Sequence, residues 1–227
     1  MKRTWGGEIV QLLPIAAMFL AAALCWSFVP DRIAVHWNLQ GAADGFGGKS
    51  LGLLLLPMVS LGVYLLTLLL PLFDPGRANY QNFAGTYNAI RMSISLFLSV
   101  IYTVTVLVAL GYQVNMNTMV GLALGVLFVV LGNVMGKIRP NWFVGIRTPW
   151  TLSSKASWTK THRLAGWLFI VMGLLAAAWG LLQTVWLFGL MLAVDGSCAV
   201  LIIVYSYLVY RKDPLRTTPA STSPGVE

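Results

Sequence analysis

The sequence predicts an all-α, polytopic integral membrane protein: a bundle of six transmembrane helices with both termini in the cytoplasm. Of its 227 residues, 58% are hydrophobic and only 10% are charged, whereas a soluble domain is about half apolar and a quarter charged. The apolar residues fall in long unbroken stretches, and the positive charges are spread unevenly between them. A water-soluble fold of this size is therefore excluded, because so few charges could not cover so much apolar surface.

Six stretches approach or exceed the roughly 20 apolar residues that a helix needs to cross the hydrocarbon layer. They are residues 9–28, 51–73, 92–112, 119–135, 164–182 and 185–207. Backbone polar groups in lipid need internal partners, and the alternating pattern of a β-barrel is absent, so helices are predicted. The fourth and shortest span has glycines spaced for close helix packing, which are Gly121, Gly125, Gly132 and Gly136.

The positive charges predict the orientation of the bundle. Of the 15 Lys and Arg residues, all but Arg32 and Lys49 fall on one side of the predicted spans, with Arg91 assigned to the second loop. Cytoplasmic loops carry the excess of Lys and Arg, so that side is predicted to face the cytoplasm. The net charge of +8 then indicates anionic lipid headgroups at the inner face as a partner, with no direct binding of nucleic acid.

The first loop, predicted on the outer face, contains polar residues that indicate a binding surface. Residues 33–39 alternate in polarity like a short strand, and several glycines follow as turn residues. The candidate binding residues are His36, Asn38, Gly41 and Asp44. Two readings stay open: an ordered cap over the mouth of the bundle, or a surface that faces a ligand. No metal site is predicted, because one His and one Asp are too few ligands.

The fourth loop, predicted on the inner face, mixes basic residues with tryptophans. Lipid anchoring explains that mixture, because Lys and Arg attract anionic lipid and Trp settles at headgroup depth. An ordered binding site is the alternative, because Pro140 and Pro149 bracket an irregular segment and a helix is expected from about residue 152, capped by Thr151 or Ser153. The candidate binding residues are Asn141, Arg147, Trp150, Trp158 and His162.

Two segments resemble known protein families. The stretch Gly132-Asn133, with residues 139–141, 145–152 and 158–163, resembles the signature of the SdpI family of membrane proteins. The outer loop, with His36, Gly41 and Asp44, resembles a small uncharacterised domain often found at the N-terminal end of that family. On this resemblance, residues 1–210 form one transmembrane domain, in which 9–60 are the N-terminal region and 119–210 the SdpI-like region. Residues 211–227, rich in Pro, Ser and Thr, are predicted to be a disordered cytoplasmic tail.

The resemblance also implies a function and a location. It implies a multi-pass protein of the bacterial inner membrane that gives immunity against a secreted, membrane-active toxic peptide. It further implies signalling, in which a cytoplasmic repressor protein is held at the membrane. Candidate partners are therefore the toxic peptide and the repressor, and no cofactor is implied.

One acidic residue, Asp195, is predicted near the middle of the sixth span. Ionisable groups inside a membrane are costly and mark functional sites by default. No Lys or Arg is predicted at that depth, so the acid is expected to be protonated or to form a hydrogen bond with a polar partner such as Thr103, Thr105, Ser60 or Tyr64. A structural hydrogen bond and a proton or ion relay both remain open, and the relay makes a small proton- or ion-coupled transporter the alternative function.

An enzyme is not predicted. The chain contains two histidines, His36 and His162, and they are assigned to opposite faces of the membrane, so they cannot build one site. HExxH, GxSxG and P-loop motifs are absent from the sequence.

Overall fold

The structure is a computed structural model, and it describes residues 5–216. Within that range, six helices are long and apolar enough to cross a membrane. The all-α membrane bundle predicted from the sequence is therefore confirmed, with one addition, which is a two-stranded sheet in the first loop. Lys2, Arg3 and residues 217–227 of the predicted tail lie outside the described residues.

The first half of the chain contains three of the long helices. They are α1 (Trp5–Cys25), α2 (Lys49–Phe73) and α3 (Ala84–Ala109), with strands β1 (Arg32–Trp37) and β2 (Ala43–Gly48) between α1 and α2. A 3₁₀ helix, Arg77–Phe83, connects α2 to α3.

The second half contains α4 (Met116–Met135), the short α5 (Pro149–Ser153), α6 (Lys155–Leu182) and α7 (Val185–Arg211). Two of the long helices begin about two turns before the predicted spans, α3 at residue 84 and α6 at residue 155. Hydropathy marks where apolar residues begin, but a helix continues into polar residues wherever its end is packed and capped.

Because successive long helices alternate in direction, the connections fall into two groups at opposite ends of the bundle. The hairpin end carries the β1–β2 hairpin, the α3–α4 connection and the α6–α7 turn. The loop end carries the 3₁₀ helix and the segment 136–154, which includes α5 and is called the basic loop below. Each end has a hydrophobic cluster beneath it, centred on Tyr102 at the hairpin end and on Tyr80 and Trp158 at the loop end.

Helices α4 and α6 pack through backbone contact. A Cβ on Gly132 would lie 2.6 Å from the carbonyl oxygen of Gly166, and one on Gly125 would lie 2.9 Å from the carbonyl oxygen of Gly173. Gly121 meets Gly180 in the same way. The predicted close packing of the fourth span is confirmed at these three glycines but is wrong at Gly136, where a Cβ would meet only Arg163 at an ordinary distance.

A turn of two residues, Gln183 and Thr184, joins α6 to α7 at the hairpin end. Gln183 adopts the left-handed conformation with φ of 50°, and Thr184 caps α7 by accepting a hydrogen bond from the Leu187 amide. The Gln183 side chain donates to the Thr118 hydroxyl at 2.7 Å and accepts from Asn115 at 3.1 Å. The turn is thereby tied to the start of α4.

Candidate functional site

At the hairpin end, the β1–β2 hairpin is fixed to the bundle by its apolar face. Strands β1 and β2 pair antiparallel, with Arg32 opposite Gly48 and register shifts around His36. Ile33 is 1% exposed and lies against Gly52 of α2, where a Cβ would come within 2.7 Å of the Ile33 Cβ. The ordered cap expected from the alternating pattern is therefore present, and its polar face points away from the helices.

The polar face carries an exposed pair. The Nδ1 atom of His36 lies 2.5 Å from Oδ1 of Asp44, and both side chains are open to solvent. Gly45 makes room for the pairing, because a Cβ there would lie 2.8 Å from the His36 Cβ. Two of the four residues predicted at this end are thus in direct contact.

The other two predicted residues build the turn of the hairpin. Asn38 Oδ1 accepts hydrogen bonds from the amides of Gln40 and Ala42, both at 3.0 Å. Gly41 has φ of 78°, a conformation that favours glycine. From α4, the Asn117 side chain donates to the Leu39 carbonyl oxygen at 2.7 Å. Asn38 and Gly41 therefore shape the surface that displays His36 and Asp44.

At the loop end, the buried carboxylate of Asp74 joins two connections. It follows α2 directly and accepts hydrogen bonds from the Gly76 amide at 2.6 Å and the Tyr80 hydroxyl at 2.9 Å. The Trp142 amide of the basic loop lies 3.1 and 3.3 Å from its two oxygens. The sequence reasoning missed Asp74, although the Asp-Pro-Gly run that begins with it is a recognisable turn signal.

Asn141 organises the middle of the basic loop. Its Oδ1 accepts from the amides of Phe143 at 2.9 Å and Val144 at 2.6 Å. Its Nδ2 donates to the carbonyl oxygens of Arg139 and Val144, both at 2.9 Å. The side chain is almost completely buried, so Asn141 positions the loop and does not face a ligand.

His162 and Trp158 hold the loop to α6. His162 Nε2 accepts from the Ile146 amide at 3.0 Å, and its Nδ1 lies 2.8 Å from the Trp158 carbonyl oxygen, so the hydrogen belongs on Nδ1. The Trp158 ring stacks on the imidazole at 4.2 Å, and its Nε1 donates to the Ile138 carbonyl oxygen at 2.9 Å. Gly145, at φ of 104°, fits against His162 Nε2, where a Cβ would clash.

The expected helix start is wrong by a few residues. Thr148 caps the short α5 through a capping box with Thr151, and Ser154 caps α6 by accepting from the Ser157 amide at 2.9 Å. Ser154 also donates to Asp213, and this hydrogen bond lowers the pKa of the Asp213 carboxyl. The sequence reasoning missed the second N-cap because Ser and Thr residues are closely spaced between Thr148 and Ser157. Their spacing alone does not show that two helices begin within this stretch.

Arg147 and Trp150 are the accessible members of the predicted inner site. Arg147 is exposed and donates to the Trp142 carbonyl oxygen at 2.7 Å, which leaves much of its guanidinium facing outward. Trp150 is half-buried and packs against Tyr207 of α7 at 5.2 Å. Other cations surround this end in the described part of the chain, at Lys137, Arg139, Lys155, Lys160, Arg163 and Lys212.

Asp195 lies on α7, away from the partners expected for it. Thr103 and Thr105 bond to carbonyl oxygens of their own helix, and Tyr64 bonds to Glu8. The expectation that one of these partners binds Asp195 is wrong, because they belong to the first three helices, whereas α7 packs on α5 and α6. Asp195 Oδ1 is buried without a hydrogen-bond partner among the described residues.

A buried ion pair was also missed. Arg91 was assigned to a loop, but it lies within α3, where its guanidinium forms two hydrogen bonds to Glu8 of α1, at 3.1 and 2.9 Å. Tyr64 of α2 donates to the same carboxylate at 3.0 Å, and Arg91 Nε donates to the Thr67 hydroxyl at 3.3 Å. The pair joins all three helices of the first half.

Within residues 5–216, no group of three or more His, Cys, Asp or Glu side chains could hold a metal ion.

The fold and its two opposed polar ends define the class of protein. It is a multi-pass membrane protein whose ordered connections face water on both sides of a six-helix bundle.

Comparison with known proteins confirms the resemblance to the SdpI family. Residues 137–206 match the family described as the SdpI/YfhL protein family, and residues 13–61 match a domain of unknown function, DUF1648. A Bacillus subtilis (strain 168) protein named Immunity protein SdpI is 26% identical over 205 residues, which cover 90% of this chain and 96% of the relative. Comparison with solved structures gives no significant match. The chain is a multi-pass protein of the cell membrane.

Proposed function

We propose that this protein protects a bacterial cell against a secreted, membrane-active toxic peptide. The observation that carries the proposal is the similarity to Immunity protein SdpI over 90% of this chain and 96% of the relative. Because the similarity extends through nearly the whole of both chains, the relative supports a role for the bundle as a unit, and not for one motif alone.

We infer that the peptide is recognised at the hairpin end. The exposed His36–Asp44 pair offers charge and hydrogen bonds to a ligand, on a turn that Asn38 and Gly41 hold rigid. Phe28 and Phe46 are exposed at the same end and offer apolar contact. Polar and apolar groups side by side suit an amphipathic peptide that reaches the membrane from outside.

We infer that the basic loop faces the cytoplasm and binds anionic lipid headgroups and a cytoplasmic repressor protein. Its positive charges support this orientation under the rule that cytoplasmic loops are rich in Lys and Arg. The exposed Arg147 guanidinium can bind a carboxylate or a phosphate with two parallel hydrogen bonds. Buried Asn141, Trp158 and His162 act as positioning residues that hold the loop in one shape.

Protection is tested by producing the protein in a bacterium that Sdp-type toxic peptide kills. We expect the wild-type protein to raise the lethal peptide concentration, and we expect His36→Ala and Asp44→Asn to reduce that protection. Gln40→Ala is the matched control, because its side chain is exposed on the same turn without belonging to the pair. Killing that is unchanged by the wild-type protein would contradict the proposed function.

The role of the inner face is tested by Arg147→Lys, which keeps the charge but removes the forked geometry. We expect the amount of protein in the membrane to stay the same, while recruitment of a co-produced, fluorescently labelled repressor falls. If recruitment survives this change intact, the basic loop acts by charge alone and lipid anchoring explains it.

A small proton- or ion-coupled transporter is the second candidate function. It is favoured by the Asp195 carboxylate, whose Oδ1 is buried in the middle of α7 without a partner among residues 5–216. Proton and ion fluxes into vesicles containing the wild-type protein or Asp195→Asn would test it, with Asp213→Asn as a control outside the span. Equal fluxes with and without the Asp195 carboxylate would remove this candidate.

A further inference from the structure

A small enclosed cavity lies between α1, α2 and α3, beside the Glu8–Arg91 ion pair. Its volume is about 10 Å³. Polar side chains from all three helices line it, which are Gln11, Ser60, Tyr64, Thr67, Arg91 and Ser95. Gln11 is held in place by donating to the Asn88 carbonyl oxygen of α3 at 3.0 Å. Val63 and Leu98 complete the lining.

Two hydroxyl groups in the wall of this cavity are unpartnered. Ser60 is 2% exposed and Ser95 is 8% exposed, and neither hydroxyl oxygen has a hydrogen-bond partner among the described residues. Serine hydroxyls inside helices commonly bond back to a carbonyl oxygen of their own helix. Ser93 and Ser99 of α3 do so, at 2.9 Å each. Ser60 and Ser95 depart from that pattern where they face the cavity.

We propose that this cavity binds one ordered water molecule, which bridges the hydroxyls of Ser60 and Ser95 and hydrates the Glu8–Arg91 pair. A cavity of about 10–15 Å³ is the smallest that holds one water, and a buried water typically makes about three hydrogen bonds. The two serine hydroxyls supply two of these. The Arg91 guanidinium, which has five N–H groups and uses three on Glu8 and Thr67, supplies a third.

The charges around the cavity select water over an ion. A cation is disfavoured because the Arg91 guanidinium lines the wall, and an anion larger than water exceeds the volume. Bound water also offsets part of the cost of burying an ion pair, because it satisfies N–H groups that Glu8 and Thr67 leave over. The site is thus a hydration site for the charged pair within the first three helices.

Alanine variants of the two serines test the proposal through the sign of their effect on stability. If water bridges the hydroxyls, Ser60→Ala and Ser95→Ala each remove one of the three hydrogen bonds that hold the water, so Tm in detergent falls by about 2–4 °C. If water does not bind, each change removes an unsatisfied buried hydroxyl, and Tm stays the same or rises. Ser93→Ala is the control, because its hydroxyl bonds within its own helix and lies outside the cavity.

A direct measurement of the water is radiolytic footprinting of the wild-type protein after rapid mixing with ¹⁸O-labelled water. We expect Tyr64 to incorporate the label more slowly than exposed Tyr112, because a bound water exchanges slowly with bulk solvent. Serine variants that are not destabilised, or a Tyr64 signal that exchanges at the rate of Tyr112, would overturn the proposal.

Discussion

Single residues determine the shape of the basic loop. Gly145 lies against the His162 imidazole in a left-handed conformation, and the Ile146 amide that follows donates to Nε2 of that ring. The ring accepts this hydrogen bond only when it is neutral, because a protonated imidazole has two donors and no acceptor. The loop therefore depends on the absence of a side chain at residue 145 and on an uncharged His162.

Gly145→Ala tests this dependence. The new Cβ would meet His162 Nε2, and alanine at φ of 104° is strained, so we expect a loss of about 1–3 kcal/mol in the free energy of unfolding. The measurement is chemical unfolding in detergent, compared with Gly62→Ala, where no atom lies within 4 Å of the added Cβ. Equal stabilities of the two variants would contradict this account of the loop.

The buried ion pair is tested by a double-mutant cycle. Arg91→Gln leaves the Glu8 carboxylate without its cationic partner, so we expect a loss of about 3–5 kcal/mol, because an unpaired buried charge is costly. Glu8→Gln together with Arg91→Gln should cost less than the sum of the single changes. Unfolding of the four proteins in mixed micelles measures the cycle, and additive losses would show that the pair contributes no coupling.

Residue chemistry shows which parts of the candidate sites the sequence could predict. The sequence draws attention to Asn141, Trp158 and His162 because they are polar or aromatic residues in or beside an irregular segment. In the structure, each of these side chains forms a hydrogen bond with the backbone of the basic loop. Arg91 could not be placed in the same way. A charge next to an apolar run predicts a loop, and only the position of Glu8 on a neighbouring helix explains why this charge enters the bundle.

At the scale of elements, the contact between α4 and α6 holds the second half together. The glycines of the two helices face each other through most of their length, so that backbone meets backbone. Without a hydrophobic driving force between helices in lipid, such close packing supplies much of the attraction. The spacing in α4 made this packing predictable, whereas its partner, α6, is known only from the folded structure.

Gly132→Ala tests the α4–α6 contact. Its Cβ would lie 2.6 Å from the Gly166 carbonyl oxygen, so the helices must separate, and we expect a loss of about 1–3 kcal/mol in the free energy of unfolding. Gly189→Ala on α7 is the matched control, because nothing lies within 4 Å of the added Cβ. If both substitutions leave stability unchanged, the two helices are not packed as closely as described.

The ends of the elements were less predictable than the spans, and for a physical reason. Hydropathy reports the part of a helix that contacts lipid, while helix termini depend on caps such as Ser154, on turns such as the one at Asp74, and on tertiary packing. For the hairpin, the local structure was predictable and its place in the fold was not. Its alternating polarity is visible in the sequence, but only the structure shows that Ile33 packs against Gly52 of α2.

At the scale of the whole molecule, the arrangement separates two different surfaces. The hairpin end displays the His36–Asp44 pair, and the loop end displays Arg147 among other cations, with the six long helices of residues 5–216 between them. An even number of crossings puts both ends of the described chain on the same side. The positive charges then predict that the loop end faces the cytoplasm, and this orientation decides which surface is open to the toxic peptide of the proposed function.

Cysteine labelling in intact cells tests the orientation. In a background in which Cys25 and Cys198 are replaced by alanine, Asp44→Cys should react with a membrane-impermeant maleimide added from outside, because residue 44 is exposed at the hairpin end. Arg147→Cys should react only after the membrane is permeabilised, since residue 147 is exposed at the loop end. Labelling of both from outside would contradict the six-span fold. Labelling of residue 147 alone would reverse the orientation, and the basic loop would then be the surface that meets the peptide.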